Sequence, residues 1–172
     1  MLAPEELDYA LIAAIPLHRT LGLRIVHDGQ PPAVTLPERG DLANHLGATA
    51  GAAVFAVAEA ASAAMVFSAY APLVERYFAI PQEARLRFRR PAVGDLLGRA
   101  RPGPLPSELA VALVKSGTAT LPVFVDVRGQ DGRIALEFTV VWAFRQPRRG
   151  GLSTLPRPPV EGPRTRPDQG VS

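Results

Sequence analysis

One carboxylate stands in the middle of a helix-forming stretch that has almost nothing else polar in it. Residues 44–65 read NHLGATAGAAVFAVAEAASAAM, and past Asn44 and His45 only Thr49 and Ser62 accompany Glu59 as polar side chains. A helix apolar on every side is buried, and an ionised carboxylate is costly to bury without partners. An acid kept in such a place can move a proton or attack an electrophile. Upstream of it, Asn44 carries a donor and an acceptor on one side chain. Gly51 falls in the first turn, where backbone amides lack an intrahelical partner and the helix dipole favours negative charge. A glycine there also leaves room for a reacting group to approach. Acid and amide donors together are what attack on a carbonyl carbon requires.

The surrounding elements must hold these groups. Residues 4–15 read as an amphipathic helix ended by Pro16, with Pro4, Glu5 and Glu6 suiting its N-terminus. Residues 23–27 and 33–36 read as short strands, and the central helix is predicted over 47–68. Residues 84–89 alternate apolar with basic, a half-buried strand showing arginines on its open face. A turn at 91–95 leads to a strand over 96–101, which Pro102, Pro104 and Pro106 stop. Ser107 can cap a short helix over 108–115 that Gly117 ends. Strands over 121–128 and 133–145 follow, hinged at 129–132. Consecutive strands with short turns predict an antiparallel sheet, and a buried helix needs a surface around it. An α+β architecture with a strongly curved sheet wrapped on the long central helix satisfies both. One such sheet cannot cover the helix on all sides, so a second copy of the chain is expected as its lid.

Composition excludes several classes. The 172 residues are 47% hydrophobic and 20% charged, suited to one soluble domain. The absence of cysteine rules out disulfides, thiolate nucleophiles and cysteine-ligated metals. Acidic residues precede the first apolar run, the opposite of a signal peptide's basic start, and the expected location is the cytoplasm. The pI near 9.9 suggests nucleic acid, but the charge lies elsewhere. Residues 147–172 hold five arginines against Glu161 and Asp168, while residues 1–146 carry 14 basic and 14 acidic side chains. The excess thus belongs to a Pro-, Arg- and Gly-rich tail that cannot build a core and is predicted disordered, leaving residues 1–146 as the domain. No nucleic-acid partner is expected. The central segment approaches the roughly 20 residues of a membrane span. Its alanine content, central Glu59 and lack of basic flanks predict a buried helix instead, and no membrane span.

The order Asn44, Gly47, Gly51, Glu59 resembles the Asn…Gly…(His)-Gly-Gly…Asp/Glu signature of hot-dog-fold acyl-CoA thioesterases. It is closest to the phenylacetate-pathway type and its thioesterase-like relatives. Residues 50–59, AGAAVFAVAE, resemble that family's block of glycine, apolar run and acid; residues 88–95, FRRPAVGD, are similar to its Phe/Tyr-Leu-Arg-Pro-Ala-x-x-Gly-Asp strand and turn. The resemblance covers residues 16–146. Three positions depart from it: Ala50 stands where the family has histidine, Ala52 replaces the second glycine, and Glu59 the usual aspartate.

The resemblance implies a hot-dog fold and hydrolysis of an acyl-CoA thioester to free acid and CoA. No metal or redox cofactor is implied, coenzyme A enters only as part of the substrate, and the assembly is a homodimer or homotetramer. Glu59 would be the base or nucleophile and Asn44 would orient the thioester or water. Gly51 would offer its amide to the oxyanion. Gly51 and Glu59 are about 12 Å apart along one helix, so both cannot lie about 3 Å from one reacting carbon. One chain's glycine would serve the other chain's glutamate. His45, Gly47 and Thr49 are expected at the substrate, and Arg89 or Arg90 at the CoA phosphates. Structural readings stand beside these: Glu59 as a structural acid paired with an arginine, Asn44 as a turn former or cap, Thr49 as an N-cap, Gly51 as a close packing point, His45 as a surface residue, and the arginines as a solvated face. Two other functions stay open. Ala50 favours a non-catalytic acyl-CoA-binding or scaffolding module. A hydratase or dehydratase needs a histidine with the acid, for which His45 is the only candidate near the right place; as a metal ligand His45 lacks partners, since His18 and His27 show no ligand spacing.

Overall fold

The computed structural model describes residues 3–28, 31–101, 103 and 105–147; the predicted disordered tail beyond Pro147 lies outside the described residues. Helix α1, Pro4–Asp8, runs directly into a π-helical turn, Tyr9–Ala13, and a second helix α2 spans Pro16–Leu21. The helix expected over 4–15 is therefore an α-helical piece that widens into a π turn and stops at Ala13. The break before Pro16 is as expected, with Ile15 extended, and Pro16 also opens α2 at the first helical position, where a missing N–H is not needed.

Strands β1, Arg24–Val26, and β2, Ala33–Leu36, lead through a 3₁₀ turn, Gly40–Leu42, to the central helix α3, Gly51–Ala69. A short α4, Ala71–Val74, is followed by β3, Phe78–Phe88, β4, Leu96–Ala100, α5, Pro106–Ser116, β5, Thr118–Arg128, and β6, Ile134–Arg145. Helix α3 starts later than the predicted residue 47, because Gly47 takes the left-handed φ of 74° in a tight turn. Its N-cap is Ala50 rather than Thr49, and Leu105, not Ser107, caps α5. Gly117 closes α5 in the left-handed conformation, as predicted.

The six strands form one antiparallel sheet in the order β1-β2-β4-β5-β6-β3. Period-two burial sets its inner face. Along β5, Leu121, Val123, Val125 and Val127 are buried and alternate with outward residues. The sheet curves around α3, which it can approach closely at Gly98. A Cβ on Gly98 would come within 2.8 Å of Val57 Cγ1 and 3.1 Å of the Val57 carbonyl oxygen, so only glycine lets β4 lie this near the helix. On the same side, Trp142 Nε1 donates to Ser62 Oγ at 3.2 Å, and that hydroxyl donates to the Glu59 carbonyl at 2.7 Å. Among the described residues α3 is the one helix long and apolar enough to cross a membrane, and 72% of that stretch is buried inside the domain. It is the core helix.

Two surfaces are left open. β3 is an edge strand, and its arginine side faces solvent as the alternation predicts. Its other side is not half-buried: Leu86 and Phe88, registered with Phe138 and Leu136 of the inner face, remain 42% and 55% exposed. Thirteen of the 19 residues of α3 are buried. Gly51, Ala52, Phe55 and Glu59, spaced three and four apart on one face, are not.

Candidate active site

The open stripe of α3 forms one wall of a cavity of about 570 Å³. Ala50, Ala52, Ala53, Phe55, Ala56 and Glu59 come from α3 and its cap; Leu17, His18 and Leu21 of α2 face them, and Asp41, Leu42 and Ala43 close the third side. The Phe55 ring is held edge-on by Phe138, with ring centroids 5.6 Å apart. Arg39 clasps the third side to α2: it donates to the Thr20 carbonyl at 2.7 Å and pairs with Asp41 at 2.6 Å. That guanidinium holds the Asp41 carboxyl below the usual carboxylate range. The chamber is apolar apart from Asp41 on its wall and one acid–histidine pair.

Glu59 is not sealed away. Its side chain is 29% exposed and its Oε2 lies 3.6 Å from His18 Nε2, whose own side chain is only 6% exposed. The other ring nitrogen of His18 sits 2.6 Å from the Leu11 carbonyl oxygen. A carbonyl only accepts, so Nδ1 carries a hydrogen and Nε2 is the nitrogen that faces the acid. Burial, the largest influence on His18, pushes its pKa down; contact with Glu59, the Leu11 carbonyl and the Glu59 charge together carry it above the usual 6.5.

The predicted site residues do not all gather here. Of the eight, Glu59 alone lines this cavity. Gly51 is the first residue of α3, exposed, with the Phe88 ring against it: an added Cβ would meet Phe88 Cζ at 3.3 Å. Asn44 is a turn former. Its Oδ1 accepts from the amides of Leu46 at 2.8 Å and Ala48 at 3.2 Å, so only its NH₂ donors remain to offer a ligand. Gly47 supplies the left-handed residue of that turn and His45 is exposed on it. Thr49 bridges to Ala43, and its amide donates to the Ala92 carbonyl at 2.8 Å. Arg89 is tied to Glu137 at 2.7 Å, which holds the Glu137 carboxyl below its usual range. Arg90 lines a separate cleft of about 450 Å³ with Gln130, Asp131 and Arg133.

His18 is the residue that sequence reasoning misses. Its spacing from Glu59 carries no pattern, and the one available signal is Pro16, a helix-opening proline that sets Leu17, His18 and Leu21 on a new helix. Among the described residues no group of three or more His, Asp or Glu side chains is placed to hold a metal ion.

A six-stranded antiparallel sheet curved around one long helix, with an acid on the open side of that helix, defines a hot-dog protein of the thioesterase-like kind. The chain belongs to the family defined by the domain of unknown function DUF4442, whose model matches residues 5–144. A Pseudomonas aeruginosa protein of unknown function, described as a probable thioesterase, is similar at 25% identity and a TM-score of 0.74, over 84% of this chain and 97% of its own. A point mutant of the phenylacetic acid degradation protein PaaI from Thermus thermophilus is similar at 22% identity and a TM-score of 0.57, over 76% and 99%. A Bacillus halodurans protein solved with CoA is similar at 18% identity and a TM-score of 0.63, over 84% and 91%. No curated protein matches the chain.

Proposed function

We propose that the protein is a cytoplasmic acyl-CoA thioesterase that works as a homodimer or a dimer of dimers. The observation that carries this is the carboxylate of Glu59 opening into a largely apolar cavity of about 570 Å³. A chamber of that kind takes an apolar acyl group and presents its carbonyl to the few polar groups on the wall. Glu59 accepts a proton from water as the water oxygen bonds to the carbonyl carbon. The carbonyl oxygen becomes an oxyanion; it collapses as the C–S bond breaks, and the thiolate leaves with the proton that Glu59 returns. Atoms and charges balance between water and thioester, so the step needs no metal or redox cofactor.

The oxyanion donor is the Gly51 amide of a second copy, since about 12 Å of helix separates Gly51 from Glu59 in one chain. Support for the second copy comes from the open edge of β3 and the exposed Leu86 and Phe88 on its inner face. Asn44, held by its turn, can donate from its NH₂ group to the thioester or to water, and His45, Gly47 and Thr49 shape the approach. For the CoA phosphates, Arg90 beside Arg133 is better placed than Arg89, whose charge Glu137 already meets. Similarity to the protein solved with CoA supports a CoA-linked substrate.

A second reading has one observation behind it. His18 beside Glu59 is an acid–base pair of the kind that adds water to an enoyl thioester, a role for which the sequence offered only His45. Ala50 in place of histidine keeps a binding module as the third possibility. One assay separates them: purified protein and Glu59→Ala are offered short, medium, long and aromatic acyl-CoAs while free thiol is followed. Thiol release that falls about 10²–10⁴-fold in Glu59→Ala is the expected result. Binding without release would mark a module, and loss of enoyl conjugation a hydratase.

A further inference from the structure

Among the described residues His18 is the one buried side chain that titrates near neutrality, and its surroundings are built to fix it. The π-helical turn Tyr9–Ala13 pairs residues five apart, as Ala14 N to the Tyr9 carbonyl at 2.8 Å shows. In that register the donor to the Leu11 carbonyl would be residue 16, a proline with no N–H. The imidazole of His18, one turn into the helix that Pro16 opens, takes that carbonyl through Nδ1 at 2.6 Å. The tautomer is thereby set, and Nε2 is left facing Glu59 Oε2 at 3.6 Å. Two lone pairs facing each other there would repel, so the arrangement is favourable with His18 protonated.

We infer that His18 and Glu59 form an ion-paired dyad, in which protonated His18 is the positioning residue that holds the Glu59 carboxylate toward the cavity. Other charges near the pair are matched elsewhere. Asp41 on the facing wall is bound by Arg39, Arg19 of the same helix donates to the Ala13 carbonyl, and Asp8 of α1 is engaged by His27 at 2.9 Å. Glu59 and the Leu11 carbonyl are thus the groups that act on the ring, consistent with the raised pKa of His18. When His18 loses its proton, the carboxylate loses its anchor. Turnover then declines on the alkaline side.

This role in turnover rests on the proposed thioester hydrolysis, whereas the dyad does not, and the experiment separates the two. The imidazoles of the full chain are titrated by nitrogen–proton NMR, with His27→Gln and His45→Gln used to assign the three histidines. His18 is expected to titrate above 6.5, to keep its hydrogen on Nδ1 when neutral, and to fall below 6.5 in Glu59→Gln, where burial outweighs the Leu11 carbonyl. Asp8→Asn should leave it unmoved. A His18 midpoint indifferent to Glu59→Gln would overturn the dyad whatever the activity. Where acyl-CoA is hydrolysed, kcat should fall through the His18 midpoint as pH rises. His18→Gln keeps a donor that does not titrate, so its kcat should be roughly 10- to 100-fold lower, as for a misplaced catalytic group, and flat across that range. A His18→Gln profile with the wild-type alkaline limb would overturn the positioning role. NMR coupling without any hydrolysis would sustain the dyad and reject the thioesterase.

Discussion

On the side of α3 that faces the sheet, Val57 and Ala61 press against Gly98, and Ser62 joins Trp142. On the other side, one or two residues away along the same helix, Ala52, Phe55 and Glu59 face a cavity, and Gly51 is exposed beside them against the Phe88 ring. The residue types hardly differ between the two sides: both are small or apolar. What differs is the partner. The sheet side meets strands at van der Waals distance, where dense packing supplies stability. The open side meets only a six-residue helix and a turn held by Arg39, where a void and an incompletely buried acid are tolerated. Stability and chemistry are divided between the two sides, and substitutions can test that division.

The largest effect should come from the open side. Gly51→Pro removes one backbone N–H at the first position of α3, where proline fits the helix. Ala50, at φ −59° and ψ 139°, already has the conformation that a residue before proline prefers. Fold and stability should survive, with the exposed Phe88 ring giving way slightly. If the Gly51 amide stabilises the oxyanion, kcat for acyl-CoA hydrolysis should drop about 10²–10³-fold. An unchanged kcat in a folded Gly51→Pro protein would remove Gly51 from the site.

The sheet side should answer in the opposite way. Gly98→Val places a side chain where Val57 Cγ1 is already 2.8 Å from the Cβ position. The expected cost is about 1–3 kcal/mol, read as a lower denaturation midpoint. Activity per folded molecule should hold, because neither cavity wall moves. A large loss of kcat with little loss of stability would mean that the two sides are coupled.

How far the sequence disclosed this division depends on the range of each signal. Local patterns were legible. β2 matches its predicted span, the alternation at 84–89 located the arginine face of β3, and Gly117 marked the end of α5. The single acid on an apolar helix located one wall of the site. The start of α3 was misplaced because Asn44 and Gly47 build a turn whose hydrogen bonds imitate a helix cap. The first half of β3 lacks the clean alternation of 84–89, and it holds Pro81, which an edge strand accommodates. His18 was invisible for a different reason: it meets Glu59 only after the chain has folded α2 back over the central helix.

That contact also supplies the smallest effect expected, a dependence of stability on pH. The pKa of His18 is raised above 6.5 in the folded protein. Protonation therefore favours the folded state. The contribution is fully present below about 6.5, the value in the unfolded chain, and is lost as pH rises through the folded value. Denaturation midpoints of wild type and Glu59→Gln, measured from pH 5.5 to pH 9, should show it as a difference. Carboxylates such as Asp41 and Glu137, held below their usual range by Arg39 and Arg89, act at lower pH in both proteins and cancel. Wild type should lose ground relative to Glu59→Gln as pH rises. Parallel curves would mean that Glu59 does not raise the His18 pKa in the folded protein, and would count against the dyad.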